Sequence, residues 1–206
     1  MGKSASKQSI SEANVGNCMR FALVGSSGSG KSAFVNAVRG VDDEDENAAF
    51  VHIVDAGKSP QEYIYPSHPH VSLCDMPGYG TPSDPDVKNY WRKYQLKKFD
   101  TFLIFISDRV TSLDLAMIQK VKSLNKSFFL IRPKIDLVCK TKEDKPNFTE
   151  EELLSKIKNY IVKETDNLLC DKNDIFLVSN YYPYNEKWDF LRLIQAMINI
   201  MPAPDI

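Results

Sequence analysis

Apolar residues recur along this chain in two rhythms. Continuous runs of strand length predict strands covered on both faces: Phe21-Ala22-Leu23-Val24, Val71-Ser72-Leu73-Cys74, Thr101-Phe102-Leu103-Ile104-Phe105-Ile106, Phe128-Phe129-Leu130-Ile131 and Ile175-Phe176-Leu177-Val178. Between them, apolar residues at helical spacing predict helices. Ala33, Phe34, Ala37 and Val38 mark one, 86–99 a second, and Leu113, Met117, Ile118 and Val121 a third. Thr149 and Glu152 have the capping-box spacing and open a helix carrying Leu153, Leu154, Ile157 and Ile161 on one face. A closing helix over 188–201 is expected to turn Leu191, Ile194 and Ile198 inward, with Pro202 and Pro204 ending it. A short stretch over 50–54 is a further candidate strand, and Pro133 fits a strand end. Strands and helices alternating in this way predict an α/β fold of three layers. Its sheet is mostly parallel with helices on both faces, and its ligand-bearing loops follow the strand C-termini.

The chemistry gathers at those strand ends. Gly25-Ser26-Ser27-Gly28-Ser29-Gly30-Lys31-Ser32 fits GxxxxGK[ST] between a strand and a helix that continues through Ala33, the context a phosphate loop requires. Glycines let successive N–H groups and the helix N-terminus point at an anion; Lys31 adds a point charge, and the Ser32 hydroxyl can ligate Mg²⁺. Asp75-Met76-Pro77-Gly78 follows the second strand run as a DxxG element, in which the carboxylate can hold Mg²⁺ through water and the Gly78 N–H can meet a γ-phosphate. Lys134-Ile135-Asp136 stands at another strand end; an acceptor-only carboxylate takes both donors of the guanine edge, where adenine offers an acceptor. Ser179-Asn180 ends the last strand, where a backbone N–H can receive the guanine carbonyl. Read alone, the Lys-x-Asp and Ser-Asn pairs are ordinary solvated turns; their order along the chain gives them weight.

Composition narrows the partners. With 26 basic and 27 acidic side chains in 206 residues, the chain lacks a bulk electrostatic footprint for nucleic acid and suits one domain, with a polar, flexible lead-in over 1–17 and a short tail over 202–206. Cys18, Cys74, Cys139 and Cys170 are widely spaced, which points to reduced thiols and a cytoplasmic setting. Met1-Gly2-Lys3-Ser4-Ala5-Ser6 fits the N-myristoylation pattern at Gly2, and a single acyl chain gives only reversible, peripheral membrane contact. The acidic run 42–46 reads as a solvated loop, and Arg109 as a solvated arginine rather than a catalytic finger.

Taken together, the phosphate loop, Asn36-Ala37-Val38-Arg39-Gly40, the acidic run, Asp75 to Gly80, Ser127 to Asp136 and Phe176 to Asn180 resemble the immunity-related (interferon-inducible) GTPases across 18–201. The resemblance implies a Ras-like GTP-binding domain over 18–201 that binds GTP or GDP with Mg²⁺. It implies nucleotide-dependent self-association, as a homodimer or with related GTPases, and membrane targeting that some members achieve by myristoylation. It also implies a role in cell-autonomous immunity. Three departures stand out. The family's helical regions on either side are not represented, so the chain looks like a GTP-binding domain alone. Asp55-Ala56-Gly57 stands for the family's Glu-Thr-Thr and keeps only a carboxylate, which is a candidate for positioning water or a partner's ribose or is simply a solvated loop acid. Pro133 replaces the polar residue before the guanine-selecting lysine, which removes a side-chain brace from the phosphate loop and is expected to lower affinity.

Tyr79 occupies the place of the water-orienting glutamine. The expectation is therefore a slow GTP hydrolase with Lys31, Ser32, Asp55 and Gly78 at the reacting end, activated by self-association. The competing reading is a regulatory pseudo-GTPase that binds GTP or GDP and docks on full-length relatives. An ATP-binding protein is disfavoured by Asp136.

Overall fold

Alternate residues of the buried strands face opposite sides of one sheet, and each side collects its own helices. The computed structural model describes residues 18–51, 59–66, 68–144, 147–165, 168, 172–181, 184 and 186–201. The strands are β1 Met19–Gly25, β2 Gln61–Tyr65, β3 His68–Asp75, β4 Thr101–Phe105, β5 Ser127–Arg132 and β6 Ile175–Leu177, in the spatial order β2-β3-β1-β4-β5-β6. All neighbours are parallel except β2 and β3. The helices are α1 Lys31–Arg39, α2 Val87–Lys93, α3 Ser112–Ser123, α4 Ile135–Lys140, α5 Glu150–Thr165 and α6 Phe190–Ile200. None of the described helices is long and apolar enough to cross a membrane.

Ala22 and Val24 of β1, Phe102 and Ile104 of β4 and Leu130 of β5 pack against α2, α3 and α5 through Tyr90, Trp91, Met117, Ile118, Val121 and Ile161. Their neighbours Phe21, Leu23, Leu103, Phe105 and Ile131 face the other way, onto Phe34 and Val35 of α1 and Phe190, Leu193 and Met197 of α6. This is why the central strands read as unbroken apolar runs: β4 is buried along its whole length. Each such Leu, Ile or Phe contributes about 1.5–3 kcal/mol by leaving water, so the two-sided core fixes register as well as stability.

Several elements differ from the sequence expectation. Phe50 and Val51 are exposed coil rather than strand, and 52–54 lie outside the described residues. The strand entering β3 is β2, an antiparallel edge with Gln61, Glu62 and Ile64 exposed, so no buried stripe announces it. The helix expected over 86–99 stops at Lys93; Gln95 takes a left-handed conformation (φ 51°), and a 3-10 turn, Leu96–Lys98, follows. That break lets both Leu96 and Phe99 turn fully into the core. In α6 the buried stripe is Phe190, Leu193 and Met197, whereas Leu191 and Ile198 are exposed. Of the three residues expected to face inward, Ile194 packs against the core, while Leu191 and Ile198 face out because α6 is apolar on both faces. The expected 1–17 lead-in and 202–206 tail lie outside the described residues.

Candidate functional site

The C-terminal ends of β1, β3, β5 and β6 meet at one rim of the sheet, and the loop joining β1 to α1 lies at its centre. The last residue of β1 is Gly25, where the backbone of β4 runs too close for a side chain: a Cβ there would lie 2.6 Å from the Phe105 carbonyl oxygen. Gly30 begins α1 in a left-handed conformation (φ 92°) that other residues adopt only with strain. Ser29 and Lys31 are buried within the turn, and Gly28 is its exposed crest. The Lys31 ammonium donates to the Gly25 and Ser26 carbonyls at 3.2 and 2.9 Å and to Ser29 Oγ at 3.5 Å, which holds the charge inside the loop it belongs to. Ser26 Oγ lies 3.0 Å from Ser107 Oγ beyond the end of β4, and Ser27 rides the half-buried flank.

Ser32, in the first turn of α1, donates to Asp75 Oδ2 at 2.6 Å. Asp75 is fully buried at the end of β3, opposite Leu23 of β1. Two oxygen ligands side by side at the mouth of an N-terminal helix turn are a donor set suited to a hard dication such as Mg²⁺. Past Asp75 the chain stays against the phosphate loop: the Met76 N–H donates to the Leu23 carbonyl at 3.2 Å and the Tyr79 N–H to the Gly25 carbonyl at 3.3 Å. Gly78 lies between these two ties and is buried.

Tyr79 does not extend over the loop. Its ring is in the core and its hydroxyl donates to Asp114 Oδ1 at 2.6 Å. Burial first, and then the Asp114 carboxylate, push the Tyr79 hydroxyl well above the ordinary tyrosine range, so it stays protonated and donating. Asp114 is itself fixed as the third residue of the α3 capping box with Thr111.

Two side chains from the far half of the chain reach the loop. Lys134 follows β5 with φ 62° and donates from Nζ to the Gly28 carbonyl at 2.9 Å. Asn180, just after β6, donates from Nδ2 to the Gly30 carbonyl at 3.0 Å. The missing brace at Pro133 is therefore supplied from another strand. The Pro133 ring is buried against Gly30, where a Cβ would meet its Cγ at 3.3 Å, so the proline supports by contact and Asn180 by hydrogen bond. Sequence reading gave Asn180 to the base loop and missed this role. The available signal was a polar residue at a neighbouring strand end when its usual counterpart was lost.

Ser179 is fully buried and its Oγ accepts from the Tyr181 N–H at 3.2 Å, which shapes the turn. Tyr181 stands between two hollows. One, of about 440 Å³, is lined by Ala33, Asn36, Asp43, Asn180 and Tyr181. The other, of about 550 Å³, is lined by Asp136, Leu137, Tyr181, Tyr184 and Trp188. The structure thus brings Gly25 to Ala33, Asp75, Gly78, Lys134, Asp136, Ser179 and Asn180 to one rim. Asp55, Ala56, Gly57 and the Gly2 acylation signal lie outside the described residues. The acidic run 42–46 is exposed, as expected of a solvated loop, and within it Asp43 accepts from Asn36 Nδ2 at 2.7 Å.

Comparison with known proteins points the same way. The family described as interferon-inducible GTPase matches residues 4–204. Interferon-gamma-inducible GTPase 10 of Mus musculus is 30% identical over 187 residues, covering 90% of this chain and 44% of its own length. Interferon-inducible GTPase 5 of Rattus norvegicus is 31% identical over 183 residues, covering 88% of this chain and 39% of its own. This chain therefore spans less than half the length of these relatives. Among solved structures, a variant of Aquifex aeolicus Era bound to GDP.AlF4- superposes with TM-score 0.58 at 20% identity, covering 90% of this chain and 57% of that one. Toc33 of Arabidopsis thaliana in complex with GDP and Mg²⁺ gives TM-score 0.54 at 17% identity, covering 80% and 72%. At such identities these two likenesses show a shared phosphate-loop GTPase fold.

Proposed function

The chain belongs to the interferon-inducible GTPase family, and from that premise we propose that it binds GTP and GDP with Mg²⁺ and hydrolyses GTP slowly. The observation that carries this reading is the convergence of Lys31, Lys134 and Asn180 on the carbonyls of one loop, with Ser32 and Asp75 paired at its edge. The inward-turned ammonium and the α1 N-terminus favour polyphosphate over any neutral ligand. Asp136, in the first turn of α4, accepts the two donors of guanine, and the stem of Lys134 lies along the base. Ser32 and Asp75 would hold Mg²⁺, which when bound neutralises charge on the outer phosphate oxygens. The Gly78 N–H receives the γ-phosphate, and Lys31 stabilises charge that grows there as the bond to the leaving group lengthens.

Slow turnover is supported by Tyr79, whose hydroxyl is committed to Asp114 and whose ring is in the core, so this position does not orient an attacking water. The same observation favours a second reading, a regulatory nucleotide-binding protein that docks on longer relatives without efficient hydrolysis. Self-association through the nucleotide face distinguishes the two. A hydrolase activated in this way gains specific activity with protein concentration; the regulator shows a flat, low rate. Peripheral membrane attachment through myristoylated Gly2, a cytoplasmic setting and a part in cell-autonomous immunity complete the proposal. Intact-mass measurement of the protein co-expressed with an N-myristoyltransferase tests the lipid.

The nucleotide assignment is tested by calorimetric titration with GDP, GTP and ADP, with and without Mg²⁺, on the wild type and Asp136→Asn. Guanine nucleotides are expected to bind at least about tenfold more tightly than ADP, with the variant shifted toward xanthine nucleotides. Equal affinity for ADP and GDP in the wild type overturns the assignment.

A further inference from the structure

Three tyrosines form a ladder behind the Asp75 to Gly78 loop. Tyr79 meets Tyr90 edge-on with ring centroids 5.7 Å apart, and Tyr90 meets Tyr94 at 4.8 Å. Their hydroxyls have separate destinations. Tyr79 donates to Asp114, Tyr94 donates to Asp84 Oδ2 at 3.0 Å, and Tyr90 donates to the Pro77 carbonyl at 2.6 Å. The last of these matters most, because the Pro77 carbonyl and the Gly78 N–H belong to the same peptide group.

A trans peptide is planar, with its C=O and N–H on opposite sides. The chain has no cis bond among the described residues, so fixing the Pro77 oxygen toward α2 sends the Gly78 N–H away from α2. Glycine could otherwise rotate this peptide cheaply. Here rotation is opposed from both ends: Tyr90, which is fully buried, holds the carbonyl, while Tyr79 is tied by its N–H to Gly25 and by its hydroxyl to α3. The next peptide is therefore fixed as well.

We propose that Tyr90 is a positioning residue for γ-phosphate recognition, its hydroxyl setting the plane of the Pro77–Gly78 peptide so that the Gly78 N–H is preset for the third phosphate. This rests on the guanine-nucleotide reading above. GDP has no group at that position, so a ligand-dependent effect is confined to triphosphates, since a ligand responds only to differences it contacts.

The test is Tyr90→Phe, which removes one hydroxyl and keeps the ring, compared with Tyr94→Phe, which removes a hydroxyl from the same ladder without touching the peptide. GDP and the slowly hydrolysed analogue GTPγS are titrated with Mg²⁺, and melting temperature is read alongside. Tyr90→Phe is expected to weaken GTPγS about tenfold, the scale of one charge-assisted hydrogen bond, while GDP stays within about twofold. Tyr94→Phe is expected to leave the ratio of the two affinities unchanged. Equal weakening of both ligands by Tyr90→Phe reduces the hydroxyl to a packing role and overturns the proposal, as does an unchanged or tightened GTPγS affinity. Should the wild type bind GDP normally, such a result removes this inference alone; should it bind neither nucleotide, the functional reading falls with it.

Discussion

Asn180 Nδ2 donates to the carbonyl of Gly30 at 3.0 Å across 150 residues of sequence, joining the end of the last strand to the residue that starts α1. Asn180→Ala is expected to weaken GDP and GTP alike by about fivefold, the worth of one net hydrogen bond. Asn180→Asp is expected to be worse, because it sets a carboxylate oxygen against a carbonyl oxygen. Titration of both variants checks the order; an alanine variant with unchanged affinity removes the brace from the account.

Gly30 combines a left-handed backbone with close neighbours, Pro133 Cγ at 3.3 Å and Asn180 Nδ2 at 3.4 Å from a built Cβ. Gly30→Ala is therefore expected to cost about 1–2 kcal/mol of stability in denaturant titration and to weaken nucleotide as well. Gly28 also has positive φ, but open space surrounds its Cβ position, so Gly28→Ala is expected to be strained without the added crowding. A larger loss at position 28 than at 30 would contradict this ranking.

Acid sensitivity has a definite source in Asp189, just before α6. Burial raises its pKa, but hydrogen bonds from Arg192, the Leu177 N–H and Lys158 outweigh that and hold it below the usual 3.8. A carboxylate depressed on folding contributes stability above its unfolded pKa and loses it as pH falls through the folded one. Asp189→Asn is expected to cost about 2 kcal/mol near pH 7, and the gap to wild type is expected to close below about pH 4. Thermal melts from pH 7 to pH 3 measure it; a gap that widens on acidification refutes the assignment.

Thiol reactivity separates by site. Burial pushes the Cys74 and Cys139 thiols up to about 11, while Cys18 is exposed. Brief alkylation of the native protein at pH 8, read by peptide mapping, is expected to modify Cys18 well ahead of the other two. Comparable labelling at Cys74 would mean that β3 opens readily.

The phosphate loop, the strand-end aspartates and the four central strands are legible in the sequence because each is dictated by local chemistry: glycine at a close approach, unbroken apolar runs in a sheet buried on both sides. Elements whose position depends on other elements are not. β2 exposes most of its side chains and exists by pairing with β3. The short helix α4, capped by Lys134 in a left-handed conformation, carries no apolar stripe long enough to announce it. In α6, two apolar stripes compete and only the sheet surface selects Phe190, Leu193 and Met197. Pro133 reads as a lost brace in the sequence because the compensating amide, Asn180, comes from the loop after β6.

The close approach at Gly25 ties the phosphate loop to the core. Because the Phe105 carbonyl leaves no room for a side chain at the first residue of the phosphate loop, and the Phe105 ring meets Phe34 of α1 at 5.4 Å, the middle of the hydrophobic core and the lip of the pocket are one mechanical body. A protein built this way has little room to drift at that spot: a change that loosens the centre is expected to displace the loop as well.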